Sequence, residues 1–324
     1  MTLQSLHCSH IMPTGGRHGT HLEFSEISPN LLAAAINENF GITGKGEVAV
    51  LSIDYSGGGS ALQGPKFSGR ASVFAYETAL TSLCWCSQAP HLILTGAKDG
   101  RLLLWNAGKP QEEALVQQYV GPVREVAAVA WSPVASEPRF VAASWDGSIL
   151  MFDPAVGIAT QHVAQFPCLV YDVRWSPRFP NTFIAAAGDG TVRVYQGGLP
   201  GVTVPARPGA DVLSCDWSPT SPYLLATADA EAGVRLWDLR FCQQPLAAMQ
   251  GHSKAVNKVR FSPHLPSTLA TASYDFTTRV WDMDGRMLTS SAHSGFSVSV
   301  AWSAGAAGVL ADCSWDSTLA LYVI

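Results

Sequence analysis

Carboxylates recur along this 324-residue chain at a near-constant interval, at Asp99, Asp146, Asp189, Glu231, Asp275 and Asp316. Two of them follow a histidine by 23 residues, Asp275 after His252 and Asp316 after His293. Acid and imidazole side by side suit general acid–base chemistry. Repetition itself argues for a structural part instead, because a buried carboxylate that accepts several hydrogen bonds is ionised and rigid. His7, Cys8 and His10 offer metal-binding side chains, yet a zinc site takes four ligands in paired spacings and no second pair follows. Gly41, Gly44 and Gly46 in GITGKG lack the spacing and the Lys-Ser/Thr end of a phosphate-binding loop. Cys84 and Cys86 flank Trp85 at strand spacing, so both point to one face, as core residues do. With no nucleophile elbow and no metalloprotease histidine pair, the expectation is a protein that is not an enzyme and needs no metal or cofactor.

The elements that position these residues are repeats. LILTGAKDGRLLLWN returns as FVAASWDGSILMFD, FIAAAGDGTVRVYQ, LLATADAEAGVRLWD, LATASYDFTTRVWD and VLADCSWDSTLALYV. Each copy closes on an aromatic six residues after its acid, namely Trp105, Phe152, Tyr195, Trp237, Trp281 and Tyr322. A second aromatic lies 14 or 15 residues before the acid, at Trp85, Trp131, Trp175, Trp217, Phe261 and Trp302. A seventh, degenerate copy opens the chain around Phe24, with an insertion before Gly46. Inside each copy apolar residues alternate at period two between Ser-Pro and Asp-Gly turn signals, which is strand chemistry.

Four short strands every 41–47 residues resemble the WD-repeat β-propellers, and the expected fold is all-β and seven-bladed. Residues 1–324 then form one domain, since a single repeat cannot bury its own apolar faces and a ring of them can. The last copy lacks its outermost strand. Ser5–Met12, within a lead-in of residues 1–16, is expected to supply it and cover the open edge. Residues 55–70, YSGGGSALQGPKFSGR, read as a flexible Gly/Ser-rich surface loop of blade one.

Composition narrows the function. Charged residues make up 14% of the chain, 20 Lys+Arg against 25 Asp+Glu gives a net charge of −5, and no basic run occurs. That excludes electrostatic nucleic-acid binding as the main activity and suits a basic partner. No apolar stretch is long enough to span a bilayer, and the N-terminus does not read as a secretory signal. Seven cysteines without a framework spacing read as buried free thiols, so a cytoplasmic protein is expected.

The WD resemblance implies a role for the acids. In such repeats the acid sits in a tight turn and bonds within its blade to a His, a Ser/Thr and the closing Trp. His252, Ser273, Asp275 and Trp281 match this in blade six, and His293, Ser314 and Asp316 in blade seven, which closes on Tyr322. It also implies which residues ring the top of the channel. The positions before the acid read Lys98, Trp145, Gly188, Ala230, Tyr274 and Trp315; those four or six before the inner aromatic include Glu125, Tyr171, Asp211, Leu213, Asn257, Phe296 and Val298. Large aromatics beside carboxylates are the composition of an interface hot spot.

Finally, GRHG, the GITGKG insertion of blade one and ADCSWD of blade seven resemble the receptors for the type-2 peroxisomal targeting signal (peroxin 7). The resemblance covers the chain from about Arg17 onward. Glu231 in the acid slot, the missing histidines of several blades and the loop at 55–70 depart from the pattern. It implies a cytosolic receptor, cycling to the peroxisome or a related organelle, that binds a helical signal near a cargo's N-terminus. A co-receptor and docking proteins are the further partners. The signal's apolar face would pack on Trp145, Tyr171, Tyr274, Phe296 and Trp315, and its basic residue would meet Glu125 or Asp211. The alternative is a WD-repeat scaffold that takes a basic tail in a chromatin or signalling assembly.

Overall fold

Each repeat folds back on itself through its turns, and the strands build seven sheets, each with four antiparallel strands. The computed structural model describes residues 4–56 and 64–324. The first strands of successive blades are His18–Phe24, Leu80–Trp85, Val126–Trp131, Val170–Trp175, Val212–Trp217, Val256–Phe261 and Ser297–Trp302. Each contacts the next, and the seventh returns to the first, so they ring a central channel. Apolar side chains from adjacent sheets interdigitate between blades. Leu22, Leu32 and Ile36 of blade one, for example, pack with Val298, Leu319 and Leu321 of blade seven.

Four of the inner tryptophans fasten their blade to the one before it through a backbone carbonyl. The indole N–H groups of Trp85, Trp175, Trp217 and Trp302 donate to the carbonyls of Glu23, Ala130, Arg174 and Arg260 at 2.9, 3.0, 3.1 and 3.0 Å. A buried indole needs such an acceptor, and here the neighbouring blade supplies it.

In blade six Trp281 donates to Thr271 Oγ1 at 2.8 Å, Thr271 meets His252 Nε2 at 2.7 Å, and His252 Nδ1 meets Asp275 at 2.8 Å. The linking hydroxyl is therefore Thr271, not Ser273. Ser273 and its counterpart Ser314 accept the backbone N–H of the turn acid, at 3.1 and 3.3 Å. In blade seven the position of Thr271 is taken by Asp312, which is fully buried and bonds His293 Nε2 at 2.7 Å and the Tyr322 hydroxyl at 3.3 Å. Blade five departs further. Glu231 occupies the acid slot but is exposed, and Asp229 does the work, accepting the N–H groups of Glu231 and Gly233 at 2.9 Å each and pairing with Arg235.

The residue after each acid needs a left-handed backbone. Gly100, Gly147 and Gly190 provide it in blades two to four, whereas Ala232, Phe276 and Ser317 adopt φ of 62, 68 and 65° in blades five to seven. Non-glycine residues there store roughly 1 kcal/mol each.

The chain start closes the ring. His7–Pro13 pairs antiparallel with Thr318–Val323 as the outer strand of blade seven. Gln4–Ser5 goes further than the sequence suggests and adds a parallel fifth strand to blade six. The loop expected at 55–70 is shorter than that. Lys66–Tyr76 is the outer strand of blade one, and Tyr55 is held by bonds to Pro29 O and Ser303 Oγ at 2.9 and 2.8 Å. Residues 57–63, the middle of that expected loop, lie outside the described residues. His10 lies against Phe67, with ring centroids 5.6 Å apart, and Cys84 and Cys86 sit in one apolar cluster, with burial pushing both thiols up. No helix among the described residues is long and apolar enough to cross a membrane.

Candidate binding face

One backbone contact, repeated, builds the top rim. The residue before each turn acid donates its N–H to the loop that enters the same blade: Lys98 to Ala79, Trp145 to Glu125, Gly188 to Leu169, Ala230 to Asp211, Tyr274 to Ala255 and Trp315 to Phe296, all at 2.9–3.0 Å. The bond pins the turn, and the side chains of Lys98, Trp145, Tyr274 and Trp315 are left at the channel mouth.

There the structure forms a cavity of about 410 Å³. Glu125, Trp145, Tyr171, Tyr274 and Trp315 line it together, with Lys98, Leu213, Asn257 and Val298 between them. Gly188 and Ala230 are not on its wall, and neither are Phe296 and Asp211. Phe296 stands behind the mouth, with ring centroids 4.8 Å from Tyr274, 5.2 Å from Trp315 and 5.3 Å from Phe276. Asp211 accepts the Tyr171 hydroxyl at 2.6 Å. Burial and this carboxylate push the Tyr171 phenol well above its ordinary range.

Glu125 is the acid that remains open. Its carboxylate makes no hydrogen bond among the described residues, and burial raises its pKa while Lys98 and Arg124 oppose the shift. A desolvated carboxylate without a partner favours an incoming cation.

The blade-one insertion supplies residues that sequence reading missed. Asn39, Phe40 and Gly41 are successively left-handed, with φ of 45, 60 and 72°. This puts Phe40 over His18, with centroids 3.7 Å apart, and 5.2 Å from Trp315. Lys98 Nζ donates to Gly41 O and Ile42 O at 3.2 and 2.6 Å, which tethers the insertion to the mouth and leaves Ile42 62% exposed. The only cue in the sequence was that the first copy is longer than the others.

Below the mouth the channel is closed by charge. Glu23 reaches across from blade one to Arg174 of blade four at 3.2 Å. Asp172 accepts from Ser214 Oγ at 2.8 Å and from Arg260 at 3.4 Å, and it lies 3.6 Å from Lys258. Burial opposes ionisation of Asp172, but Lys258, Arg260 and Arg174 hold its pKa well below the usual carboxylate range.

The WD domain, G-beta repeat family matches residues 70–106, 158–196, 202–238 and 243–282. The peroxisomal targeting signal 2 receptor of Mus musculus is 34% identical over 95% of this chain and 94% of its own length. The receptor of that name from Homo sapiens is 34% identical over 54% of this chain and 51% of its own length. The one from Saccharomyces cerevisiae is 24% identical over 69% and 65%. Sequence identity that runs from one end of the ring to the other, on the same repeat architecture, places this chain in the family of peroxisomal targeting signal 2 receptors.

Proposed function

We propose that this protein is a cytosolic import receptor, which binds the type-2 signal near the N-terminus of a cargo protein on its top face. Together with a co-receptor it delivers that cargo to docking proteins at the peroxisome. The observation that carries this reading is the open Glu125 carboxylate in a cavity walled by Trp145, Tyr171, Tyr274 and Trp315. An amphipathic helix with one basic residue matches such a surface: its apolar face covers the rings and its cation meets the acid. Glu125 is the better partner of the two acids because Tyr171 already occupies Asp211. Ile42, exposed beside the mouth, would add apolar contact at the helix edge.

The test is binding of the purified protein to a fluorescent type-2 signal peptide, with and without a co-receptor fragment. A peptide with its leading Arg changed to Glu is the control. Binding that the fragment strengthens and the charge reversal abolishes supports the receptor. A folded protein that binds neither form, but does bind a basic histone-type tail, would replace it with the scaffold reading.

A further inference from the structure

The floor of the top-face cavity carries a cation that its surroundings only partly neutralise. Lys258 lines the cavity with its side chain 8% exposed, and its ammonium donates no hydrogen bond among the described residues. The nearest carboxylate, Asp172, is 3.6 Å away and shared with Arg260 at 3.4 Å, while Asp216 faces Arg260 as well. His21, 4% exposed, lines the same cavity, and its ring also makes no hydrogen bond among the described residues. Burial, with Lys258, Arg174 and Arg260 nearby, holds that imidazole neutral, so one ring nitrogen keeps a proton to donate. An ammonium offers three donors, and this one has none of them satisfied at hydrogen-bond distance.

We propose that Lys258 and His21 form a subsite for one carboxylate at the floor of the cavity. The ammonium supplies the charge, and the imidazole N–H supplies a second hydrogen bond. The carboxylate comes either from a small free acid or from an acidic side chain of a peptide lying across the mouth. The subsite is the opposite pole to Glu125: both line one cavity, the acid from blade three and the cation from blade six. The free-acid arm stands without the receptor reading, and the peptide arm rests on it. The groups facing Lys258 are His21, Asp172, Arg174, Cys215, Arg260 and Cys313. Burial brings Lys258 down to about 8, against the pull of Asp172, so carboxylate binding weakens as pH rises through that value.

Acetate, titrated at constant ionic strength against chloride, is the probe, read on the ring 1H–15N signals of histidine-labelled protein with His21 assigned through His21→Gln. A saturable His21 shift is expected in the wild type, lost in Lys258→Met and kept in Lys258→Arg. Should Lys258→Met not fold, the wild-type titration repeated at about pH 6.5 and 9 takes its place, with the shift lost at the higher pH. A folded wild type with no saturable His21 shift overturns the subsite, as does a shift that Lys258→Met retains. In the second arm, signal peptides carrying Glu or Gln at successive interior positions are compared. One register preferring Glu by about tenfold in the wild type alone assigns the carboxylate to the peptide. Acetate saturation with no such register assigns it to a free acid. Acetate saturation with no signal-peptide binding removes the receptor reading and leaves the subsite standing.

Discussion

The phenol of Tyr171 donates to Asp211 at 2.6 Å, and this bond separates two acids that look equivalent along the chain. Asp211 is committed to its neighbour and lies off the cavity wall, whereas Glu125 is on it with an unoccupied carboxylate.

On the proposed receptor reading, reversing Glu125 removes the partner of the signal's cation. Glu125→Lys is expected to weaken signal-peptide binding by about 2–5 kcal/mol, while Asp211→Asn costs about 1 kcal/mol or less. Fluorescence anisotropy on both folded variants measures this. Equal losses would put the two acids back on the same footing.

Thr271 holds two buried donors-or-acceptors at once, the indole N–H of Trp281 and a ring nitrogen of His252. Thr271→Val keeps the shape and strands both, so urea unfolding is expected to show a loss of about 2–4 kcal/mol. Ser273→Ala, which removes the acceptor of one turn N–H and the hydroxyl's bond to the Ala255 carbonyl, is expected to cost about 1 kcal/mol. The reverse ranking would return the linking role to Ser273.

His252 and His293 respond to pH in opposite senses. Burial works against charge on His293, but Asp312 and Asp316 on either side outweigh it and raise its pKa above 6.5. Its contribution is full below about pH 6.5 and is lost as pH rises through the folded value. Burial outweighs Asp275 at His252 and lowers its pKa, so that contribution is present above about pH 6.5 and lost as pH falls through the folded value. The stability cost of His293→Gln should shrink between about pH 5.5 and 8.5, and that of His252→Gln should grow. Costs that move in the same direction would refute the assignment.

Glu23 and Arg174 brace the channel from opposite sides at 3.2 Å. Glu23→Gln leaves the Arg174 charge short of its partner and also weakens the acceptor for Trp85 N, which lies 3.1 Å from Glu23. A loss of about 3 kcal/mol is expected. Arg174→Met added to Glu23→Gln should cost less than the sum of the two single changes, because the interaction is removed only once. Strict additivity in a double-mutant cycle would show that the pair is uncoupled.

Much of the architecture was legible because it is local. Period-two alternation, Asp-Gly turns and paired aromatics are properties of consecutive residues, and they specify the strands and the number of repeats; the strand that closes the ring and the rim positions before the turn acids came with the resemblance to WD-repeat propellers. The exceptions are also instructive. Thr271 and Ser273 are both small hydroxyl residues on the same face of one strand, and position along that strand decides between them: Leu269 is paired with Trp281, so Thr271 lies within reach of the indole and Ser273 lies one step further, at the turn. Asp229 replaces Glu231 because the turn of blade five gathers its N–H groups around the earlier carboxylate.

The chain alone thus determined seven copies of one short-stranded repeat, since those follow from repetition and spacing, and the resemblance to WD-repeat propellers arranged them as a ring. Tertiary structure decided which side chains the mouth presents. Phe40 and Ile42 reach the mouth only because the insertion folds back onto Lys98, and Asp211 withdraws only because Tyr171 lies within reach. Lys258 and Asp172, far apart in sequence, meet only when blades four and six face the same channel. Ring closure sets such distances across the axis, and no local pattern records them.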